Sequence, residues 1–229
     1  VNVLAIETSG TVGSVAACCD ADVVAEQMID NAMDHGRMLL PLVDRVVRIA
    51  GWDKRRDIEL VAVSHGPGSF TGLRVGIACA KTLAVLLHIP LVAVCSLDAI
   101  AENAPPDAER ILTVLDAKRG QVYAAAYERR AGALARIWGP ELLDPADAMR
   151  RCTRPCLVMG TGLEPHHEAF AGAREAEKDL WRPRASTVAR IGLSLFRTGQ
   201  RFDPLTVHPL YLRLAEAEEK RIARERGRA

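Results

Sequence analysis

His65-Gly66-Pro67-Gly68-Ser69-Phe70-Thr71-Gly72-Leu73-Arg74-Val75-Gly76 lies between an apolar run at 58–64 and a helical pattern that continues to residue 87. Its glycines permit positive φ and close backbone approach, and Ser69 is a natural N-cap. The stretch therefore reads as a strand-to-helix turn. A glycine loop feeding a helix N-terminus is also a ready anion site, and the residues alone leave that reading level with a plain tight turn. Further on, Ala80-Lys81-Thr82 is no phosphate loop: the glycine required before the lysine is absent, and the residues fall in mid-helix. Gly72, Gly76, Ala80 and Ala84 recur every four residues along that helix. An interior glycine costs up to about 1 kcal/mol relative to alanine, so the stripe implies that another backbone comes close. Two neighbours fit: the chain's own sheet, or a helix of another chain.

Upstream, apolar runs at 3–7, 12–19 and 23–28 are separated by Thr8-Ser9-Gly10-Thr11 and Asp20-Ala21-Asp22, which predicts an antiparallel meander. Met38, Leu39, Leu42, Val46 and Ile49 recur at helical spacing over 35–50, and Gly51 follows as a stop. A strand at 91–94 and a short helix at 96–103 lead to Ala104-Pro105-Pro106-Asp107, the best boundary in the chain. The pattern then begins again. A strand at 111–116 ends in Asp116 as the first ends in Glu7, and Gly120-Gln121-Val122-Tyr123-Ala124 echoes Gly13-Ser14-Val15-Ala16-Ala17. A third strand at 133–138, a helix at 146–150, a strand at 156–159 and a helix at 185–198 complete the second set. This is an α/β chain of two tandem βββαβα units, at 1–103 and a reduced 104–200, with a final segment at 201–229. The bland alternative is a chance echo between two alanine-rich strands.

Composition excludes several classes. Thirty basic against 29 acidic residues give a net charge of +1, without the basic excess of a dedicated nucleic-acid binder. A hydrophobic content of 49% is too high for a disordered chain. Lys81, His88 and Pro90 interrupt the longest apolar stretch, so no membrane span is expected, and without a targeting pattern at its start the chain is expected in the cytoplasm. Its six cysteines read as small buried thiols, and Cys152-x-x-x-Cys156 lacks the second ligand pair of a zinc site. His166-His167-Glu168 carries metal-capable donors that diverge on a helix, and no nucleophile elbow is present. The basic stretch at 220–229 reads as a solvated end, with a salt-sensitive RNA contact as the alternative.

The segment from Gly66 to Gly76, followed by Ala80-Lys81 and Ile89-Pro90, closely resembles the TsaB family, bacterial non-catalytic subunits in threonylcarbamoyladenosine modification of tRNA. Further matches are Ile6-Glu7-Thr8-Ser9, His35 with Leu40-Pro41, Ser96-Leu97-Asp98, Leu115-Asp116-Ala117-Lys118-Arg119-Gly120-Gln121-Val122-Tyr123 and Pro209-Leu210-Tyr211-Leu212-Arg213. The resemblance implies two RNase H-like units of the actin-like and sugar-kinase-like (ASKHA) ATPase fold. The catalytic paralogue, TsaD, carries a metal-binding His-x-x-x-His where this chain has Ser96 and Ile100. Isoleucine offers a metal no lone pair and a serine hydroxyl is a poor ligand.

The resemblance thus implies an accessory subunit that pairs with and activates TsaD. TsaD transfers the threonylcarbamoyl group, from the adenylate that a TsaC-type enzyme makes, to the adenosine beside the anticodon. The ATPase TsaE is a further partner, a homodimer is a further form, and tRNA is met indirectly. The expected interface comprises His35, Met38, Leu39, Leu42, Gly72, Gly76 and Ala80. No catalytic residue, metal or cofactor is expected in this chain, ATP and metal being left to its partners. The rival reading is an ATP-hydrolysing enzyme whose nucleotide is served by Glu7, Thr8, Ser9, Gly66, Gly68, Ser69 and Asp116. A glycoprotease-like peptidase finds no credible metal site in this sequence.

Overall fold

Alternating turn residues and apolar runs give the chain its first sheet. In the computed structural model, which describes residues 1–213, β1 (Asn2–Glu7), β2 (Gly13–Cys19) and β3 (Asp22–Ile29) form the expected antiparallel meander. The amphipathic helix α1 (His35–Ile49) follows, then β4 (Leu60–Gly66), α2 (Phe70–Leu87), β5 (Leu91–Cys95) and the short α3 (Ser96–Ala101). β4 runs parallel to β1, and β5 parallel to β4, as strands joined by helical crossovers do.

The second half repeats this plan with β6 (Arg110–Asp116), β7 (Val122–Arg130), β8 (Ala133–Leu143), α4 (Pro145–Arg151), β9 (Leu157–Met159), α5 (Leu163–His166), β10 (Arg174–Glu175) and α6 (Ala185–Arg197). The first sheet has the order β3-β2-β1-β4-β5 and the second β8-β7-β6-β9-β10. The two orders are the same. This is the ASKHA arrangement of two RNase H-like units, and the duplication is real rather than a chance echo. The second copy is reduced: its parallel strands β9 and β10 hold three and two residues, against seven and five for β4 and β5.

The unit boundaries at 104 and 200 need correction. Ala185, Val188, Ala189 and Leu193 of α6 pack against Val3, Ala5, Leu60, Ala62 and Val92 of the first sheet. In return Leu97 and Ile100 of α3 enter the core of the second sheet. Each half thus lends its last helix to the other. The cause lies in burial: Leu4 to Glu7 and Leu60 to Ser64 are buried on both faces of the first sheet, and α1 and α2 cover only one of them. The final segment is no separate piece either, since Phe202 pairs with Leu91 and Val207 joins the first core. The basic stretch at 220–229 lies outside the described residues.

A Cβ at Gly192 in α6 would stand 2.7 Å from the Ala62 Cβ of β4. Gly192→Val should therefore lower stability by about 1–3 kcal/mol in denaturant unfolding, as overpacking of a close helix–sheet contact does.

Candidate functional site

The loop after β1 meets the start of α2 at the bottom of a cleft of about 800 Å³ between the two units. Ser9 carbonyl accepts the Ser69 N–H at 2.7 Å, and Thr8 Oγ1 donates to the Gly72 carbonyl at 2.8 Å. Glycine is needed where these backbones touch: a Cβ at Gly68 would fall well inside contact distance of the Ser9 carbonyl. Ser69 caps α2, its Oγ accepting from Gly72 N at 3.3 Å. Two donors at this helix N-terminus, on Ser69 and Gly72, are thus engaged within the chain, which takes them from an anion.

The residues of the nucleotide reading separate in space. Ser9, Gly68, Ser69 and Asp116 line the cleft. Glu7 and Thr8 are fully buried behind it, and Gly66, at φ +115°, packs against Leu210 instead. The Glu7 carboxylate accepts the Ser9 N–H through Oε1, while Oε2 has no hydrogen-bond partner. Burial raises the Glu7 pKa above its ordinary 4.5, only partly offset by the hydrogen-bonding groups of Ser9 and Ser64 beside it. Across the cleft, burial works to raise the Asp116 pKa as well, but hydrogen bonds from Lys118, from its backbone N–H at 2.7 Å and its ammonium at 2.6 Å, hold it below the usual range. His166 Nε2, buried and unpaired, lies 3.9 Å from Asp116. That approach was not legible in the His-His-Glu run.

Metal donors do not converge. Among the described residues no three His, Cys, Asp or Glu side chains are grouped to hold an ion. Ser96 is buried with its hydroxyl 2.7 Å from that of Ser64, and Ile100 is wholly enclosed in the second core.

The expected partner interface needs a larger correction. His35, Leu39, Leu42, Gly72, Gly76 and Ala80 are buried within this chain, and of the seven only Met38 is exposed, at 37%. The small-residue stripe serves the chain's own sheet: Cβ atoms at Gly72 and Gly76 would collide with the Thr8 carbonyl and hydroxyl. His35 sits in the same layer with both ring nitrogens unpaired, and burial lowers its pKa, Asp34 offsetting part of the shift. What faces outward is the opposite side of α2, where Ala78, Thr82 and Leu86 recur every four residues and Leu86 is 70% exposed. Beside it α1, packed on α2, exposes Leu40 at 63%. The signal was available in the sequence, because α2 has a mean hydropathy of 1.6 and is apolar on both sides. Among the described residues it is the one helix long and apolar enough to cross a membrane, yet its glycine face rests on β1.

The Pro209-to-Arg213 motif closes the site as a strap between the units. Leu210 N donates to the His65 carbonyl at 2.7 Å, and Tyr211 stacks on Phe70 at 4.9 Å while accepting from Arg74 Nε at 3.0 Å. Arg213 then reaches the second unit, donating to the Ala117 carbonyl and to Gln121 Oε1 on the turn between β6 and β7.

Comparison with known proteins follows this geometry. The family model described as TsaD: tRNA N6-adenosine threonylcarbamoyltransferase matches residues 25–168. The tRNA threonylcarbamoyladenosine biosynthesis protein TsaB of Bacillus subtilis (strain 168) is 32% identical over 96% of this chain and 97% of its own length. That of Escherichia coli (strain K12) is 30% identical over 97% of this chain and 99% of its own. Among solved structures, YeaZ from Pseudomonas aeruginosa superposes with a TM-score of 0.79 at 25% identity, covering 92% of this chain and 99% of that one.

Two substitutions probe this site. With its folded pKa raised, Glu7 costs nothing below pH 4.5, where it is protonated folded or unfolded, and costs progressively more as pH rises above that value. Glu7→Gln should therefore be more stable than the native chain at neutral pH, and the gap should close on acidification toward pH 4.5 in paired denaturant titrations. Arg213→Ala removes the strap's hydrogen bonds to the second unit and should cost about 1–2 kcal/mol in the same measurement.

Proposed function

This chain belongs to the TsaB family, and we propose that its part in tRNA threonylcarbamoyladenosine biosynthesis is to pair with TsaD and activate it. The pairing surface is the outward side of α1 and α2, centred on Ala78, Thr82 and Leu86 with Leu40 and Met38 beside them. One observation carries this reading: α2 remains apolar and close-packable on the face its own sheet does not use. Small side chains there let a second helix approach closely, which suits helix-on-helix docking. The partner's chemistry is a helix pair of like fold, and the match of residues 25–168 to the TsaD model supports that likeness. A surface suited to a paralogue also suits a second copy, so the homodimer is the competing form and TsaE joins the heterodimer. The near-zero net charge fits a subunit that leaves most tRNA contact to its partners in the cytoplasm.

The chain makes no bonds in this reading. The engaged N-terminus of α2, the sealed Glu7 and the hydroxyl pair at Ser64 and Ser96 support that assignment over an ATP-hydrolysing enzyme or a metal-dependent peptidase.

Thr82→Glu with Leu86→Asp changes only exposed positions, so the unfolding midpoint should stay close to native. Affinity for TsaD should fall at least tenfold, roughly 1.4 kcal/mol or more. Unchanged affinity would place the interface elsewhere on the chain. Reconstitution tests the role itself: leaving this chain out, with every other component constant, should abolish or sharply reduce tRNA modification. Full activity without it would remove the proposal.

A further inference from the structure

Where α3 and α6 meet, they frame with β7 and β8 a second cavity of about 360 Å³. It shares no residue with the cleft. Its size is at the small end for ligand pockets, which run roughly 300–1,000 Å³. The charges on its wall form two pairs of unequal strength. Asp98 of α3 accepts from Tyr127 Oη at 2.8 Å and from Arg136 Nη1 at 3.0 Å, both on the one oxygen Oδ1. Four residues on, the Glu102 carboxylate stands 3.6 Å from Arg190 Nη2 of α6, which also donates to the Glu102 carbonyl at 3.4 Å. This second pair is loose and open to water, with the two side chains 53% and 33% exposed for Arg190 and Glu102. Exposed pairs of this kind hold weakly. Ala101, Leu134, Ile191 and Leu195 supply an apolar wall beside them.

We propose that this cavity binds a zwitterionic α-amino acid with an aliphatic side chain. Two carboxylates and two guanidiniums leave the site with no net charge, which matches a ligand that is neutral overall and carries both signs. A simple anion would leave the acids unrelieved, and a simple amine the arginines. The ligand enters by opening the loose pair. Its carboxylate takes the Arg190 guanidinium, a fork suited to two parallel hydrogen bonds. Its ammonium takes the place of Arg190 beside Glu102 and donates to Asp98 Oδ2. Burial raises the Asp98 pKa in spite of Arg136 and Tyr127, so this carboxylate is short of positive charge, and the ammonium supplies it. The aliphatic side chain covers the apolar wall. Bound there, the ligand ties α3 to α6, the two helices that the units exchange, and stabilises the native pairing of the units by mass action.

Calorimetry and thermal unfolding of the full folded chain test this with L-leucine, L-isoleucine and L-valine. At least one should bind saturably and raise the unfolding midpoint as its concentration rises. For that amino acid, the analogue lacking the carboxylate and the one lacking the ammonium (leucinamide and isocaproate for leucine) should each bind at least about tenfold more weakly. Arg190→Gln changes a largely exposed side chain, so the midpoint without ligand should stay close to native while affinity falls about tenfold or more. Asp98→Asn should weaken binding to a similar degree. Because Asp98 also anchors α3, Arg190→Gln decides if that variant fails to fold. Absence of saturable binding by all three amino acids, an analogue that binds as tightly as its parent, or native affinity in Arg190→Gln would each overturn the proposal.

Discussion

The contact between the end of β1 and the first turns of α2 governs the rest of the molecule. Thr8 and Ser9 press backbone and hydroxyl directly onto Gly68, Gly72 and Gly76, and no side chain larger than hydrogen fits between them. The contact joins the first strand to a helix sixty residues on, with two buried hydrogen bonds, from Thr8 Oγ1 to Gly72 O and from Ser69 N to Ser9 O. It sets how deeply α2 lies on the sheet, and so which side of that helix remains exposed. It also occupies the helix N-terminus that a phosphate would otherwise find. One packing event therefore fixes the fold of the first unit, takes donors from the cleft and leaves Ala78, Thr82 and Leu86 facing outward.

The exchange of final helices gives the two units a shared fate. α6 completes the core of the first sheet and α3 that of the second, so neither half has a full hydrophobic core without the other. Tyr127 and Arg136 of the second unit hold Asp98 of α3 at 2.8 and 3.0 Å, anchoring the exchange with charge as well as apolar contact. The strap through Leu210, Tyr211 and Arg213 adds a third tie on the cleft side. The cleft between the units is thus framed by residues that also hold the scaffold together, Ser9, Gly68 and Ser69 on one side and the turn that Arg213 grips on the other.

Much of this was legible along the chain. Period-two and period-four patterns, turn residues and Gly51 as a stop located the principal strands and helices to within a few residues. They failed where partnership rather than local conformation was at stake. A helix every fourth residue of which is small must lie close to something, but the spacing of Gly72, Gly76 and Ala80 does not say to what. The same ambiguity hid α6, whose stripe of Ala185, Val188, Ala189 and Leu193 reads equally well against either sheet.

By itself the amino-acid sequence determined the two repeated units and the strand-to-helix turn at Gly66 to Ser69, because each depends on local patterning. Only the tertiary structure decided that the glycine stripe faces inward and Ala78, Thr82 and Leu86 outward, and that Glu7 is sealed while Asp116 lines the cleft. Those outcomes rest on distances between atoms remote along the chain or brought together by a turn. Close packing settles such distances through all neighbours at once, and no single stretch of sequence carries them.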